Sequence, residues 1–241
     1  MLLLACKAVA ESQGHVELIK LTNRIYIAED YFYYRENSAV YIGDKDVTVI
    51  SATWTPDVAK LLTDKIRLVT DKPIKAVVNT HFHLDRVGGN PYFKKIGAKI
   101  IASNMTTSLM KANWESRVKE AQKDYPDYPS IPYTTPDITF DNKYELENGK
   151  IQVLYFGPSH TKDNVVVYFP EEKVLFGDCV LKEKLGWLGD ADVAEYPKTL
   201  ERIKKLKIKT IIAGHWSPVH GPELIDQMLD QLKQKEQRNF K

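Results

Sequence analysis

"NTHFHLDRVGGN", residues 79–90, sets His81, His83 and Asp85 at alternate positions after the apolar run "IKAVV". Such a short apolar run, bounded by turn residues, reads as a buried strand. The motif therefore sits on a loop at the carboxyl end of a strand, where ligands are commonly presented. By alternation His81 and His83 point the same way, while Asp85 can reach a neighbouring position. Two imidazoles and a carboxylate this close together are a candidate metal site, provided other parts of the chain add donors.

Three further segments offer them. His160 lies in "FGPSHTKDN" after the strand-like "IQVLYF", Cys179 in "VLFGDCVLKEK", and His215 at the end of "TIIAGH". Each stands at a strand end beside glycine or other turn-forming residues, and two packed sheets can bring such ends to one edge. Of the 6 histidines, His15 lies near the chain start and His220 precedes "GPEL" at a helix entrance, where a cap or a structural hydrogen bond suits it. Any one strand-end histidine is usually solvated, and a single cysteine is usually core; the recurrence of the pattern is what points to a metal. His81, His83 and His160 suit a tetrahedral zinc with water in the open fourth position. Asp85, Cys179 and His215 offer oxygen, sulfur and nitrogen to a second zinc, the thiolate favouring zinc over magnesium or calcium. Two neighbouring zinc ions can bridge a hydroxide, lower the pKa of water to about 7 and stabilise a leaving group.

The 241 residues are ample for a buried core. A formal charge of +2 with no basic block gives nucleic acid no electrostatic footprint. "MLLLACKAVAES" is too short to span a membrane, because its apolar run stops at Lys7. "LLAC" looks like the tail of a bacterial lipoprotein signal in which Cys6 becomes lipidated, although the usual basic start is absent. With 2 cysteines one disulfide at most can form, and pairing of Cys6 with Cys179 is not expected.

Along the chain, "HVELIKLTNRIYIAED" and "SAVYIGDKDVTVISAT" read as antiparallel strands. Thr55 as N-cap and Pro56 at the first helical position open an amphipathic helix. "GNPYFKKIG" reads as a short helix and "AKIIAS" as a strand. Met110, Trp114, Val118, Ala121 and Tyr125 then form one apolar stripe on a long helix. "PDYPSIPYTTPD" must be irregular. Asn148-Gly149 marks one hairpin and "NVVVYFPEEKVLFGD" another. "TLERIKKLKI" reads as a helix, "KTIIAGH" as a strand and "GPELIDQMLDQLKQKEQ" as a terminal helix. Strands and helices thus run through the same order twice. The expectation is an α/β fold, with residues 1–12 a signal remnant and residues 13–241 one domain of two similar halves, two sheets packed together with helices outside.

Taken together, "HFHLD", "GPSHTKDN", "GDCVLKEK" and "AGHWSPVHGPE" resemble the zinc-dependent β-lactamases of the metallo-β-lactamase superfamily, over nearly the whole chain. The resemblance implies the four-layer αββα sandwich of that family. Generic hydrolases of the superfamily carry a second histidine after the aspartate, where this chain has Arg86, and usually an aspartate where it has Cys179. Within the β-lactamases the chain is most similar to the carbapenem-selective subclass that works with one zinc. In that subclass the long helix, here around Trp114, leans over the active site. His81 departs from it, since the subclass has asparagine there, and matches the three-histidine site of the broad-spectrum di-zinc subclass. Trp187 departs as well, standing where an asparagine near the substrate is usual.

The resemblance implies hydrolysis of the β-lactam ring of antibiotics, carbapenems included, by a monomer in the bacterial periplasm, and hence resistance. Zinc held by His81, His83 and His160 would supply hydroxide, and zinc at Asp85, Cys179 and His215 would take the leaving nitrogen. Lys182 would meet the substrate carboxylate as a point charge. Asn164 has two readings, one orienting the substrate or a ligand's partner and one making a turn. Arg86 and Asp178 stand beside ligands as supporting residues. The alternatives are another hydrolase of the same fold, acting on a thioester or lactone, and a zinc-binding module without turnover. Open coordination positions argue against the latter, because structural zinc sites are closed by four protein ligands.

Overall fold

Val165, Val167 and Phe169 turn to one side of their strand and Val166 and Tyr168 to the other, and all five are buried. A strand with no polar face must be covered on both sides. The computed structural model, which describes residues 14–239, shows how. Seven strands, β1 (Val16–Lys20), β2 (Ile25–Asp30), β3 (Glu36–Ile42), β4 (Val47–Ile50), β5 (Ile74–Val78), β6 (Lys99–Ser103) and β7 (Ile138–Phe140), lie in chain order in one sheet. Neighbours are antiparallel from β1 to β4 and parallel from β4 to β7. The second sheet runs β13 (Val219–His220), β12 (Thr210–Ala213), β11 (Val174–Asp178), β10 (Val165–Phe169), β9 (Ile151–Tyr155), β8 (Lys143–Leu146).

Three apolar layers hold the sheets and helices together. Ile25, Ile27, Tyr41, Ile50 and Val78 of the first sheet meet Val153, Val165, Val167, Phe169 and Phe176 of the second. The outer face of the first sheet is covered by α1 (Pro56–Arg67) and α3 (Asn90–Lys95) through Leu62, Ile66 and Phe93. Leu200, Ile203, Leu224 and Met228 of α5 (Tyr196–Ile203) and α6 (Leu224–Asn239) cover the second. The result is the four-layer αββα sandwich. Among the described residues no helix is long and apolar enough to cross a membrane.

Local signals act as expected. The Thr55 hydroxyl accepts from the Val58 amide at 3.3 Å at the start of α1. Asn148 and Gly149 adopt φ of 54° and 85° between β8 and β9. The long helix α4 spans Asn104–Asp124, with Met110, Trp114, Val118 and Ala121 buried. One expectation needs correction: the helix before β12 runs over Tyr196–Ile203 and stops short of Ile208. β7, parallel to β6, follows the proline-rich segment without a periodic signal of its own. Of the two roles open to His220 the structural hydrogen bond holds: it lies in β13, and its Nε2 donates to the Ser217 carbonyl at 2.8 Å.

The edge of the sandwich that carries the site is braced by backbone conformations that cost energy. Ser51 and Thr53 have φ of 77° and 65°, the left-handed region that side-chain-bearing residues avoid. They hold residues 51–54 against α2 (Leu84–Val87), where Ala52 N donates to Arg86 O at 2.8 Å and Gly89 N to Thr53 O at 3.2 Å. The approach is so close that a Cβ on Gly88 would lie 1.8 Å from the Trp54 carbonyl oxygen. Gly88→Ala should therefore destabilise the fold by about 3 kcal/mol, read as a lower urea midpoint at unchanged m-value; an unchanged midpoint would show that this contact is slack.

Candidate metal centre

The donors come from both sheets, and backbone bonds between the sheets set their approach. Val165 N of β10 donates to Thr80 O at 2.9 Å, tying the loop after β5 to the second sheet. Asn37 of β3 reaches the other way, its side-chain amide donating to Ala213 O at 2.8 Å and its backbone N–H to Gly214 O at 2.8 Å. Reciprocal bonds of 2.9 and 2.8 Å between the Asn79 and Asn90 amides hold the ends of the histidine segment together. Asp85 is in the first turn of α2 rather than on a loop. Tyr196 donates to the Cys179 and Val180 carbonyls at 3.0 and 2.9 Å, pinning the turn that carries the thiol.

All six predicted donors converge. His81, His83 and Asp85 place donor atoms within 4.8 Å of one another, as do His81, His160 and Cys179, and Asp85, Cys179 and His215. Ring centroids of the three histidines are 4.7 Å apart for His81–His83, 5.2 Å for His83–His160 and 5.5 Å for His81–His160. Outer partners select the free nitrogen on three rings. His81 Nδ1 donates to Asp178 Oδ2 at 2.8 Å, and its buried Nε2 has no partner. His83 Nε2 donates to Asp190 Oδ2 at 2.8 Å, leaving Nδ1. His215 Nδ1 donates to Arg35 O at 2.7 Å, which turns Nε2 to within 3.2 Å of Cys179 Sγ and 3.5 Å of Asp85 Oδ2. This is how proteins orient metal-bound imidazoles. His160 differs, its Nδ1 lying 3.4 Å from the Lys182 ammonium.

Under the donors lies a fully buried Arg86. Its Nε is 2.8 Å from Asp178 Oδ1 and 3.0 Å from Asp85 Oδ2, Nη1 pairs with Glu36, and Nη2 is 3.3 Å from Cys179 Sγ. Burial alone would push the Cys179 thiol up, but Arg86, with His215 and His81, brings it down to about 5, so the sulfur is a thiolate at neutral pH. Burial holds His83 below its ordinary value, and burial together with Lys182 holds His160 well below. Both rings are neutral and ready to ligate. Burial opposes charge on His81 and His215 too, yet Asp178 and Cys179 raise His81 and the Cys179 thiolate raises His215 to about 9. Negative groups that favour a proton there favour a metal cation in its place.

A cavity of about 630 Å³ opens over the donors. His83, Asp85, His160, Cys179 and His215 line it with Lys182, and Tyr34, Trp54, Trp187, Trp216 and the C-terminal half of α4 form its walls. Trp114 itself is buried, donating to Ile131 O at 2.8 Å, so the helix meets the cavity through Arg117, Glu120 and Ala121 instead, with Tyr125 just past its end. Asn164 is also away from the cavity. Its carbonyl accepts from Thr161 N at 2.8 Å and its amide donates to Asp178 at 3.2 Å, so it makes the turn and steadies the partner of His81. Asp190, Glu36 and Arg117 escaped the sequence reading, because nothing beside them in the chain marks them.

Residues 34–215 match the metallo-beta-lactamase superfamily. The chain belongs to that family. It is 32% identical over 221 residues, 86% of this chain and 82% of the relative, to a metallo-beta-lactamase type 2 from Elizabethkingia meningoseptica. A metallo-beta-lactamase type 2 from Bacillus cereus is 26% identical over 240 residues, covering 94% of this chain and 86% of its own. Among solved structures, a metallo-beta-lactamase from Pontibacter korlensis superposes with a TM-score of 0.78 at 26% identity, over 91% of this chain and 99% of the other. VMB-1 does so with 0.80 at 25%, over 93% and 99%.

Metallo-β-lactamases depend on zinc, and this donor set fits it. The orphaned His81 Nε2, the thiolate and the neutral His83 and His160 rings are borderline-soft ligands for a tetrahedral ion. Removing the acceptor that orients His83, by Asp190→Ala, should weaken zinc binding by about 10–100-fold in a chelator competition. Affinity equal to the parent's would mean that Asp190 does not orient that ring.

Proposed function

We propose that this protein opens the β-lactam ring of antibiotics, carbapenems included, as a monomer in the periplasm, and so confers resistance. The observation that carries the reading is the convergence of His81, His83, His160, Asp85, Cys179 and His215, with all but the fully buried His81 lining the floor of one substrate-sized cavity. Two zinc ions belong to the proposal, one held by the three histidines and the other by Asp85, Cys179 and His215. Bound there, zinc makes a water nucleophilic near pH 7 and polarises a carbonyl.

The chain's own residues do the rest. Asp178, Asp190 and the Arg35 carbonyl each accept a hydrogen bond from one ring nitrogen of His81, His83 and His215, so the opposite nitrogens are the ones turned toward the centre, where they would ligate. Arg86 holds Asp85 and Cys179 ionised. Lys182, 2% exposed as a residue, brings a cation to the cavity wall. Burial lowers its pKa, and an incoming carboxylate would favour its charged form. The carboxylate beside the lactam nitrogen is therefore assigned to Lys182, which orients the ring with its carbonyl toward the histidines. Tyr34, Trp54 and Trp216 line aromatic walls of the cavity. Export, with a lipid on Cys6 as anchor, is part of the same reading; Cys6 lies outside the described residues.

Purified zinc-loaded protein should hydrolyse nitrocefin and imipenem, lose both activities to a chelator and regain them with zinc. Inactivity on both, alongside turnover of a thioester or lactone, would replace this reading with that of another hydrolase of the same fold. Inactivity on all of them would leave the non-catalytic zinc module. His81→Asn should lower zinc stoichiometry and reduce penicillin hydrolysis more than carbapenem hydrolysis. Unchanged stoichiometry would remove His81 from the ligand set.

A further inference from the structure

The segment between Lys182 and α5 carries Trp187 over the metal donors. The residue is 55% exposed, yet its ring centroid is 5.5 Å from that of His83 and 6.2 Å from that of His160, edge-on to both. An exposed indole keeps such a position only if something holds it.

Two features do. A Cβ on Gly189 would lie 2.2 Å from the Trp187 ring, so the bare glycine provides the space into which the indole folds. Arg117 of α4 lies over the same ring, its guanidinium carbon 5.7 Å from the Trp187 centroid and 5.3 Å from that of Phe82. Cation–π contact of this kind suits a planar guanidinium. The guanidinium also pairs with Asp190, three residues along, and with Glu120 at 2.9 Å. Helix α4 thus grips the segment at two points.

We infer that Trp187 is a specificity-determining wall and that Arg117 and Gly189 are the residues that position it. The inference rests on the β-lactam reading above. A lactam carbonyl attacked at the three-histidine end of the cavity must lie beside His83 and His160. The substituent on the ring carbon next to that carbonyl begins only two bonds from the carbonyl carbon, and Trp187 borders the same two rings. Penicillins and cephalosporins carry a bulky acylamino group on this carbon, whereas carbapenems carry a small hydroxyethyl group. A fixed indole there crowds the first class and tolerates the second.

Steady-state kinetics of the zinc-loaded full chain on benzylpenicillin and imipenem tests this. Trp187→Ala should raise the ratio of kcat/KM for benzylpenicillin over imipenem by about tenfold or more, mainly through a lower KM for the penicillin, with zinc content unchanged. Gly189→Ala, which displaces the indole without touching a zinc donor or Arg117, should move the ratio in the same direction, and so should Arg117→Ala. Arg117→Ala should add nothing in the Trp187→Ala background, since both act through one ring. A further shift there would mean that Arg117 acts through Asp190 and His83, which overturns its assigned role. If the parent hydrolyses both compounds and Trp187→Ala leaves the ratio unchanged or lowers it, Trp187 is no such wall. A parent inactive on both would instead overturn the β-lactam reading itself.

Discussion

The Arg86 guanidinium, with no solvent exposure, is the constraint on which the centre depends. It belongs to the first half of the chain, yet it touches Cys179, Asp178 and the Gly214 carbonyl of the second half as well as Glu36 and Asp85 of its own. A charge taken fully out of water is tolerated only with partners on every side, and removing one such partner typically costs about 3–5 kcal/mol. The two sheets must therefore meet at this edge in the one arrangement that surrounds the guanidinium. That arrangement also brings Asp85, Cys179 and His215 together. Assembly of the donor set and satisfaction of one buried cation are the same event.

A second layer of contacts decides what each donor offers. Asp178, Asp190 and the Arg35 carbonyl each accept a hydrogen bond from one ring nitrogen and leave the other to face the centre. None of them needs to touch a metal to set its chemistry. His160 stands apart: burial and the Lys182 ammonium beside it together keep its ring neutral.

Floor and walls of the cavity have different origins. The floor is made by strand ends locked through hydrogen bonds between the sheets, such as Val165 N to Thr80 O and Asn37 N to Gly214 O. The walls are loops and the flank of α4, held by aromatic edges and by a few ion pairs near solvent. Tyr34, for example, packs edge-on against His215 and Trp216 with centroids at 5.1 and 6.1 Å. Such contacts are individually weak, which leaves the walls free to differ between relatives while the floor stays rigid.

The sequence by itself determined whatever is encoded over short spans. The Thr55 cap, the Asn148-Gly149 turn, the stripe from Met110 to Ala121 and the six donors could all be read there, because capping, left-handed turns, helical periodicity and ligand chemistry act between near neighbours. Only the tertiary structure decided the partners of those donors. His83 meets Asp190 across 107 positions, Arg117 meets the same carboxylate across 73, and Arg86 meets Glu36 across 50. A lone aspartate or arginine carries no local pattern that distinguishes it from a solvated one. The short strand β7 shares that limit, since three residues are too few to show a period and β6 supplies the pairing that defines it. Asn164 shows the same boundary from the other side: its type suits a substrate contact, support of a ligand's partner or a turn, and its bonds to Thr161 and Asp178 select the turn and the support of Asp178.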